Sequence, residues 1–178
     1  GRLGQRPHFV AGEPGTAYLM GDDGLIAVDI VSGERRPVAN VKAQGYYFTE
    51  KPVGVDDMRL SPDGKWIAVQ TSEQLFVLPR PTDANVAVDL TAAGAAARRV
   101  TDMGAVFYDW RADGSLIWTV GNYAQTLDGP DAPLPKSHVE LIAEMPRARP
   151  SGSLLLRGAR ALTMANGDKA IEDADILI

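Results

Sequence analysis

An internal repeat constrains this chain more than any other feature. The run Met58-Arg59-Leu60-Ser61-Pro62-Asp63-Gly64-Lys65-Trp66-Ile67-Ala68-Val69 recurs as Tyr108-Asp109-Trp110-Arg111-Ala112-Asp113-Gly114-Ser115-Leu116-Ile117-Trp118-Thr119, so that Gly64 aligns with Gly114, 50 positions on. A looser copy lies about one period upstream, from His8-Phe9-Val10 through Glu13-Pro14-Gly15 into Thr16-Ala17-Tyr18-Leu19-Met20. A period near 50 is that of a propeller blade, a small sheet that cannot bury its own faces and must stack against its neighbours.

Each of the three units reads as four short strands separated by turns. In the middle unit these are Asp57 to Leu60, Lys65 to Gln70, Gln74 to Leu78 and Arg98 to Thr101, with Pro79 to Ala97 expected as a surface loop. The first unit closes its hairpins with Asp22-Asp23-Gly24 and Ser32-Gly33-Glu34. The third runs through Ser115 to Val120 and Tyr123 to Leu127, then ends near Val139 to Glu144.

The repeated Asp-Gly pairs at Asp63 and Asp113 invite a catalytic reading, but turn chemistry accounts for them. Asp bonds its local backbone and Gly takes positive φ, while Pro62 presets φ in one copy. Trp66, Trp110 and Trp118 fall at strand positions where large side chains fill the contact between neighbouring sheets, so core packing is the expected role. Asp22-Asp23 and Asp56-Asp57 are acidic pairs that calcium could use, yet each lies in or beside a predicted turn and neither has EF-hand spacing. Solvated turn residues are expected.

Composition narrows the partners. A net charge of -5, with the 18 Lys and Arg residues scattered rather than grouped, argues against nucleic acid. No apolar run approaches the roughly 20 residues of a membrane helix. With no cysteine, disulfides, thiolate nucleophiles and Cys-ligated zinc are excluded. The 18 glycines and 12 prolines suit a turn-rich chain, and 45% hydrophobic residues argue for a folded one. Gly1-Arg2-Leu3-Gly4 is neither a signal peptide nor a natural start, so the chain is expected to be a piece of a longer protein.

At Arg59-Leu60-Ser61-Pro62-Asp63-Gly64-Lys65-Trp66-Ile67-Ala68, followed by Gln74-Leu75-Phe76-Val77-Leu78, the sequence resembles the TolB and tricorn type of WD40-like propeller repeat. The resemblance covers roughly residues 7 to 145. Beyond Pro146-Arg147-Ala148-Arg149-Pro150-Ser151-Gly152 the texture changes. From Leu154-Leu155-Leu156-Arg157-Gly158-Ala159-Arg160-Ala161-Leu162-Thr163-Met164 to Ala174-Asp175-Ile176-Leu177-Ile178 the sequence resembles the amino-terminal strands of the metal-dependent amidohydrolases. Read from the residues alone, Leu154 to Arg157, Ala161 to Met164 and Asp175 to Ile178 are short strands, and Asn166-Gly167 is a hairpin signal. Together the two resemblances match exported bacterial amidohydrolases that carry a TolB-like propeller ahead of the barrel, which implies a periplasmic or secreted setting. They also imply a divalent metal, zinc above all, in the parent enzyme.

The ligands for that metal are not in this sequence. His8 and His138 are its only histidines, far apart and outside any ligand-spaced cluster, and each is expected to be structural. Ser151-Gly152-Ser153 lacks the flanks of a serine-hydrolase elbow, and Gly158 leads into more strand rather than a phosphate-binding helix.

The expectation is therefore an all-β chain: a partial propeller of about three four-stranded blades over 1–145, a linker over 146–152, and the start of an amidohydrolase-type β-sandwich over 153–178. No catalytic, cofactor-binding or metal-ligating residue is assigned within it, and its isolated form is expected to be inactive. Its partners are expected to be the remaining blades and barrel of its own parent chain, with self-association through exposed strand edges. A binding module for a peptide, glycan or protein, without catalysis, is the alternative.

Overall fold

The computed structural model describes residues 4–45, 51–148, 151–165, 167 and 169–178. The chain is all-β and falls into two compact units, Gly1–Ile142 and Ala143–Ile178. No helix among the described residues is long and apolar enough to cross a membrane.

Among its described residues the first unit holds three antiparallel sheets of four strands and one smaller sheet. In order along the chain, the first sheet holds β1 (Gln5–His8), β2 (Thr16–Gly21), β3 (Gly24–Asp29) and β4 (Arg35–Ala39). Then come β5 (Val41–Ala43), β6 (Val53–Gly54), β7 (Asp57–Leu60), β8 (Trp66–Thr71), β9 (Gln74–Pro79), β10 (Val88–Asp89) and β11 (Arg98–Arg99). The second sheet takes β7, β8, β9 and β11; the third consists of β12 (Phe107–Trp110), β13 (Leu116–Val120), β14 (Tyr123–Leu127) and β15 (Val139–Glu140). Within each of these sheets successive strands pair, β9 and β11 being separated by the excursion that carries β10.

The turns form as the residue types dictate. Asp63 Oδ1 accepts from the Ser61 hydroxyl at 2.6 Å and the Lys65 amide at 3.1 Å, while Asp113 Oδ1 accepts from the Ser115 hydroxyl at 2.6 Å and amide at 2.9 Å. Gly64 and Gly114 sit at φ of 70° and 84°, a region open to glycine. These bonds hold both carboxyls below the usual aspartate range, the serine hydroxyl contributing most. The copies differ after the turn: Leu60 faces Ile67, whereas Trp110 faces Leu116, so the third sheet's turn is one residue tighter. Because side chains alternate, that slip decides which residues point inward. It sends Trp118 opposite Tyr108, where it is fully buried, while Trp66 is only half-buried.

Two apolar cores lie between consecutive sheets. Tyr18, Leu25 and Ala27 of the first sheet meet Met58, Leu60, Ile67, Val69 and Leu78 of the second. The opposite face of the second sheet, with Ala68, Leu75 and Val77, meets Tyr108, Leu116, Trp118 and Leu127 of the third, and Trp66 and Trp110 pack against the same cluster. The sandwiching role expected of the three tryptophans is thus observed.

The stretch from Pro79 to Ala97 is more than the expected surface loop. Within it β10 pairs in parallel with β5, Val88 against Val41, and β6 completes a three-stranded sheet. Val88, Leu90 and Ala97 pack on the first core. The two-residue strand was illegible because its partner lies 47 positions away (88 against 41) and its pairing is non-local.

The second unit is a single hairpin of β16 (Leu155–Leu162) and β17 (Ala170–Leu177). Leu154 to Arg157 and Ala161 to Met164, expected as separate strands, are largely one: Gly158, at φ 68°, forms a bulge rather than a break, and Met164 lies past the strand end. The second strand begins at Ala170, ahead of the expected Asp175. Gly167 lies in the connecting turn at φ 72°, and Asn166 of the expected Asn-Gly turn is outside the described residues, as are Arg149 and Pro150 of the expected linker. Cross-strand pairs Leu156–Ile176, Ala159–Ala174 and Ala161–Ile171 make one face apolar. The other face carries ion pairs Arg157–Asp175 at 3.4 Å and Arg160–Glu172 at 2.8 Å.

Trp118→Ala should cost about 3–5 kcal/mol, the usual range for truncating a buried tryptophan, whereas Trp66→Ala should cost well under half as much. Urea denaturation followed by far-UV circular dichroism checks the difference; equal losses would contradict the register slip.

Candidate functional site

The first strands of the three sheets, β1, β7 and β12, bring four charged side chains together. Asp57 is the centre. Its carboxylate is 2% exposed and lies 3.5 Å from Arg6 of β1 and 3.5 Å from Arg59 two residues along β7. Arg59 reaches on to Asp109 of β12 at 3.2 Å, and its guanidinium stands 5.3 Å from the centre of the Tyr108 ring. Charges of alternating sign therefore cross three sheets in one row: Arg6, Asp57, Arg59, Asp109.

Asp57 is not the solvated turn residue that its pairing with Asp56 suggested. Asp56 does behave that way: it is exposed, and its Oδ2 accepts from the Ser72 amide at 2.8 Å. One residue further the strand has begun, and alternation turns Asp57 into the sheet interface opposite Gln70. Asp22 and Asp23 are exposed in the β2–β3 turn, as expected.

Gln70 ties the row to the framework. Its Oε1 accepts from Arg6 Nη1 at 3.3 Å and its Nε2 donates to the carbonyl of Ala105, just ahead of β12. Trp110 Nε1 donates to the Arg59 carbonyl at 2.9 Å, another link between the second and third sheets. Three buried atoms in this region, His8 Nδ1, Asp57 Oδ1 and the Tyr108 hydroxyl, have no hydrogen-bond partner among the described residues.

The environment sets the ionisation. Burial opposes the charge on Arg59, but Asp109 and Asp57 outweigh it and hold its pKa above the ordinary arginine value. Burial, reinforced by the Asp57 charge, pushes the Tyr108 phenol well above its usual range, so it stays protonated. His8 is depressed, chiefly by burial and secondly by Arg59. It is structural: Nε2 accepts from the Leu60 amide at 3.2 Å across the first sheet interface, and the ring stacks on Tyr18 with centroids 5.6 Å apart. His138 packs edge-on against Tyr123 at 4.3 Å.

Beside the row opens a cleft of about 400 Å³ lined by His8, Phe9, Arg59, Leu60, Asp109 and Trp110 among others. Of its charged lining Arg59 is half-buried and Asp109 exposed, and Phe9 adds an exposed ring. Such a surface can hold a polar ligand. It does not fit a divalent metal, because the one imidazole there spends its Nε2 lone pair on Leu60 and no group of three His, Cys, Asp or Glu converges among the described residues. No nucleophile and base pair is assembled there either. Ser151 and Ser153 are exposed and belong to the other unit, and Gly158 is a strand bulge.

The sequence matches no protein-family model and no curated protein. Sequence reasoning missed the ionic row because it is tertiary. A signal existed in hindsight: His8, Arg59 and Asp109 recur at spacings of 51 and 50, each a polar residue on a first strand.

Asp57→Asn should cost about 1–3 kcal/mol, since it removes the buried carboxylate between two guanidiniums of which Arg6 stays half exposed and Arg59 keeps Asp109; chemical denaturation reads this. His8 gives a separate pH signature. Its folded pKa lies below its unfolded value near 6.5, so its contribution is complete above that pH and falls away as the solution is acidified below it. His8→Gln should flatten the stability profile in that acidic window, measured as melting temperature against pH; an unchanged slope would contradict the buried neutral imidazole.

Proposed function

We propose that the first unit is a run of about three TolB-like propeller blades, forming a non-catalytic part of a metal-dependent amidohydrolase that cleaves amide or related carbon–nitrogen bonds. In this reading the blades restrict or orient substrate at the mouth of a catalytic barrel, and the β16–β17 hairpin opens the enzyme's framework β domain. The observation that carries it is the serial stacking of three four-stranded meanders at a 50-residue period, each contributing its first strand to one shared polar row. The amphipathic hairpin supports the second half, because a ribbon with one wholly apolar face is suited to line one side of a β-sandwich.

The divalent metal belongs to the barrel and not to these residues, whose part is to position and exclude. Within the chain, the charges of Arg59 and Asp109 in the cleft lining would orient a substrate's polar groups, and the Phe9 ring would shield its apolar side.

The same cleft favours one alternative, a propeller that binds a peptide, glycan or protein partner without catalysis. The sequence encoded downstream of Ile178 separates the two. A His-x-His pair within about one hundred residues, together with metal-dependent hydrolysis of amide substrates by the extended polypeptide and its loss on changing both histidines to alanine, is the expected result. A continuation without metal ligands would overturn the enzyme reading and leave the binding module.

A further inference from the structure

The cleft beside the ionic row has a lining that restricts the chemistry of its ligand. Its two charged members, Arg59 and Asp109, pair with each other at 3.2 Å and cancel. His8, the other titratable group in the lining, is kept neutral by burial. An ionic ligand has to displace one member of the pair or leave its own charge uncompensated. A neutral ligand keeps the pair and can use both of its members.

Arg59 and Asp109 set a donor beside an acceptor, because a guanidinium only donates and a carboxylate only accepts. Their separation of 3.2 Å is close to the spacing of neighbouring hydroxyl oxygens on a sugar ring. One hydroxyl can accept from Arg59 while the next donates to Asp109, and both bonds are charge-assisted. Asp109 has the capacity for this: its side chain is 63% exposed, and its oxygens, with about four acceptor positions, hold the Trp110 amide at 2.9 Å and Arg59. Arg59 is steadied by Asp57 at 3.5 Å and by the Tyr108 ring, 5.3 Å away. A donor already ordered in the free protein loses little entropy on binding, which favours a ligand that water also solvates well.

Much of the remaining lining is apolar and ring-shaped: Pro7, Phe9, Pro62 and Trp110. Phe9 is 65% exposed, and Trp110 has given its N–H to the Arg59 carbonyl, so what Trp110 offers a ligand is its ring. Aromatic faces carry partial negative charge and meet the slightly positive C–H hydrogens on the apolar face of a pyranose. At about 400 Å³ the cleft lies toward the small end for ligand sites, with room for a short chain of rings rather than a folded partner.

We infer that this cleft binds a neutral carbohydrate, a pyranose or a short chain of them, with hydroxyls on Arg59 and Asp109 and a C–H face on Phe9. All of these residues belong to the first unit. The inference rests on the cleft being a ligand site, which both readings above share, and not on the metal-dependent enzyme.

The test titrates the 178-residue chain with three uncharged trisaccharides, maltotriose, cellotriose and triacetylchitotriose, by tryptophan fluorescence and saturation-transfer NMR. At least one should bind with a Kd of about 1 mM or below. Phe9→Ala and Asp109→Ala should each weaken it at least about tenfold, with melting temperatures confirming that both variants are folded. Phe9→Tyr, which keeps the ring, should stay within about threefold of wild type. Phe107→Ala, which removes another exposed phenylalanine outside the cleft lining, should change nothing. Raising salt from about 50 to 500 mM should leave the affinity within about twofold, since the ligand is uncharged. Binding that survives both Phe9→Ala and Asp109→Ala puts the sugar elsewhere and overturns the proposal. Failure of all three sugars at about 10 mM also overturns it, and a Lys-rich and a Glu-rich peptide then separate two kinds of failure. Peptide binding that is lost in Asp109→Ala keeps the cleft as a ligand site and removes only the carbohydrate. If neither peptide binds, the ligand reading of the cleft falls as well.

Discussion

Everything in the first unit depends on a sheet of four short strands being apolar on both sides. An isolated hairpin is marginal in water and gains its stability by packing, and here Ile67, Ala68, Val69 and Gln70 along β8 are all buried, so that both faces of the strand are covered. Such a strand buries all its apolar surface only between two neighbours. The second sheet has both and holds the most completely buried strand among the described residues; its neighbours each have one covered face within the chain.

The ionic row follows from that constraint. Inner strands of stacked sheets approach one another, so polar side chains on them either find partners or remain desolvated and unpaired. Arg6, Asp57, Arg59 and Asp109 solve this by alternating in sign, and the sum of their charges is zero. Only Asp57 of the four is buried, so the row as a whole adds little net stability, but it penalises wrong registers, because a shifted β7 would leave the buried Asp57 carboxylate without its guanidiniums. Trp110 and His8 act in the same sense through single hydrogen bonds to backbone of the adjacent sheet.

The legible parts of this fold were those written locally. The turns at Asp63-Gly64 and Asp113-Gly114, the strand Tyr123–Leu127 and the burial of Trp118 all follow from residue type, spacing and alternation. Whatever depends on a distant partner could not be read. Asp57 was placed with its neighbour Asp56 because adjacent acids resemble a turn, and only the onset of β7 separates them. Gly158 looked like a strand end because glycine punctuates strands, yet a bulge uses the same positive φ without breaking the ladder. The candidate site was nearly invisible for the same reason: its members are spread over about one hundred positions, from Arg6 to Asp109, and none belongs to a short chemical motif.

The pairing of β10 with β5 has a consequence for the order in which the chain takes shape. Turn-joined strands such as β8 and β9 close loops of a few residues, whereas Val88 must find Val41 across an intervening segment that includes most of the second sheet. Loop-closure entropy rises with that separation, and contacts between distant residues slow the search. The clasp is therefore expected to close late, once β7, β8 and β9 have drawn its two halves together. Once made, it fastens the excursion from the second sheet to the segment leaving the first, so the two sheets are joined through the chain twice: once by direct sequence and once by this late strand.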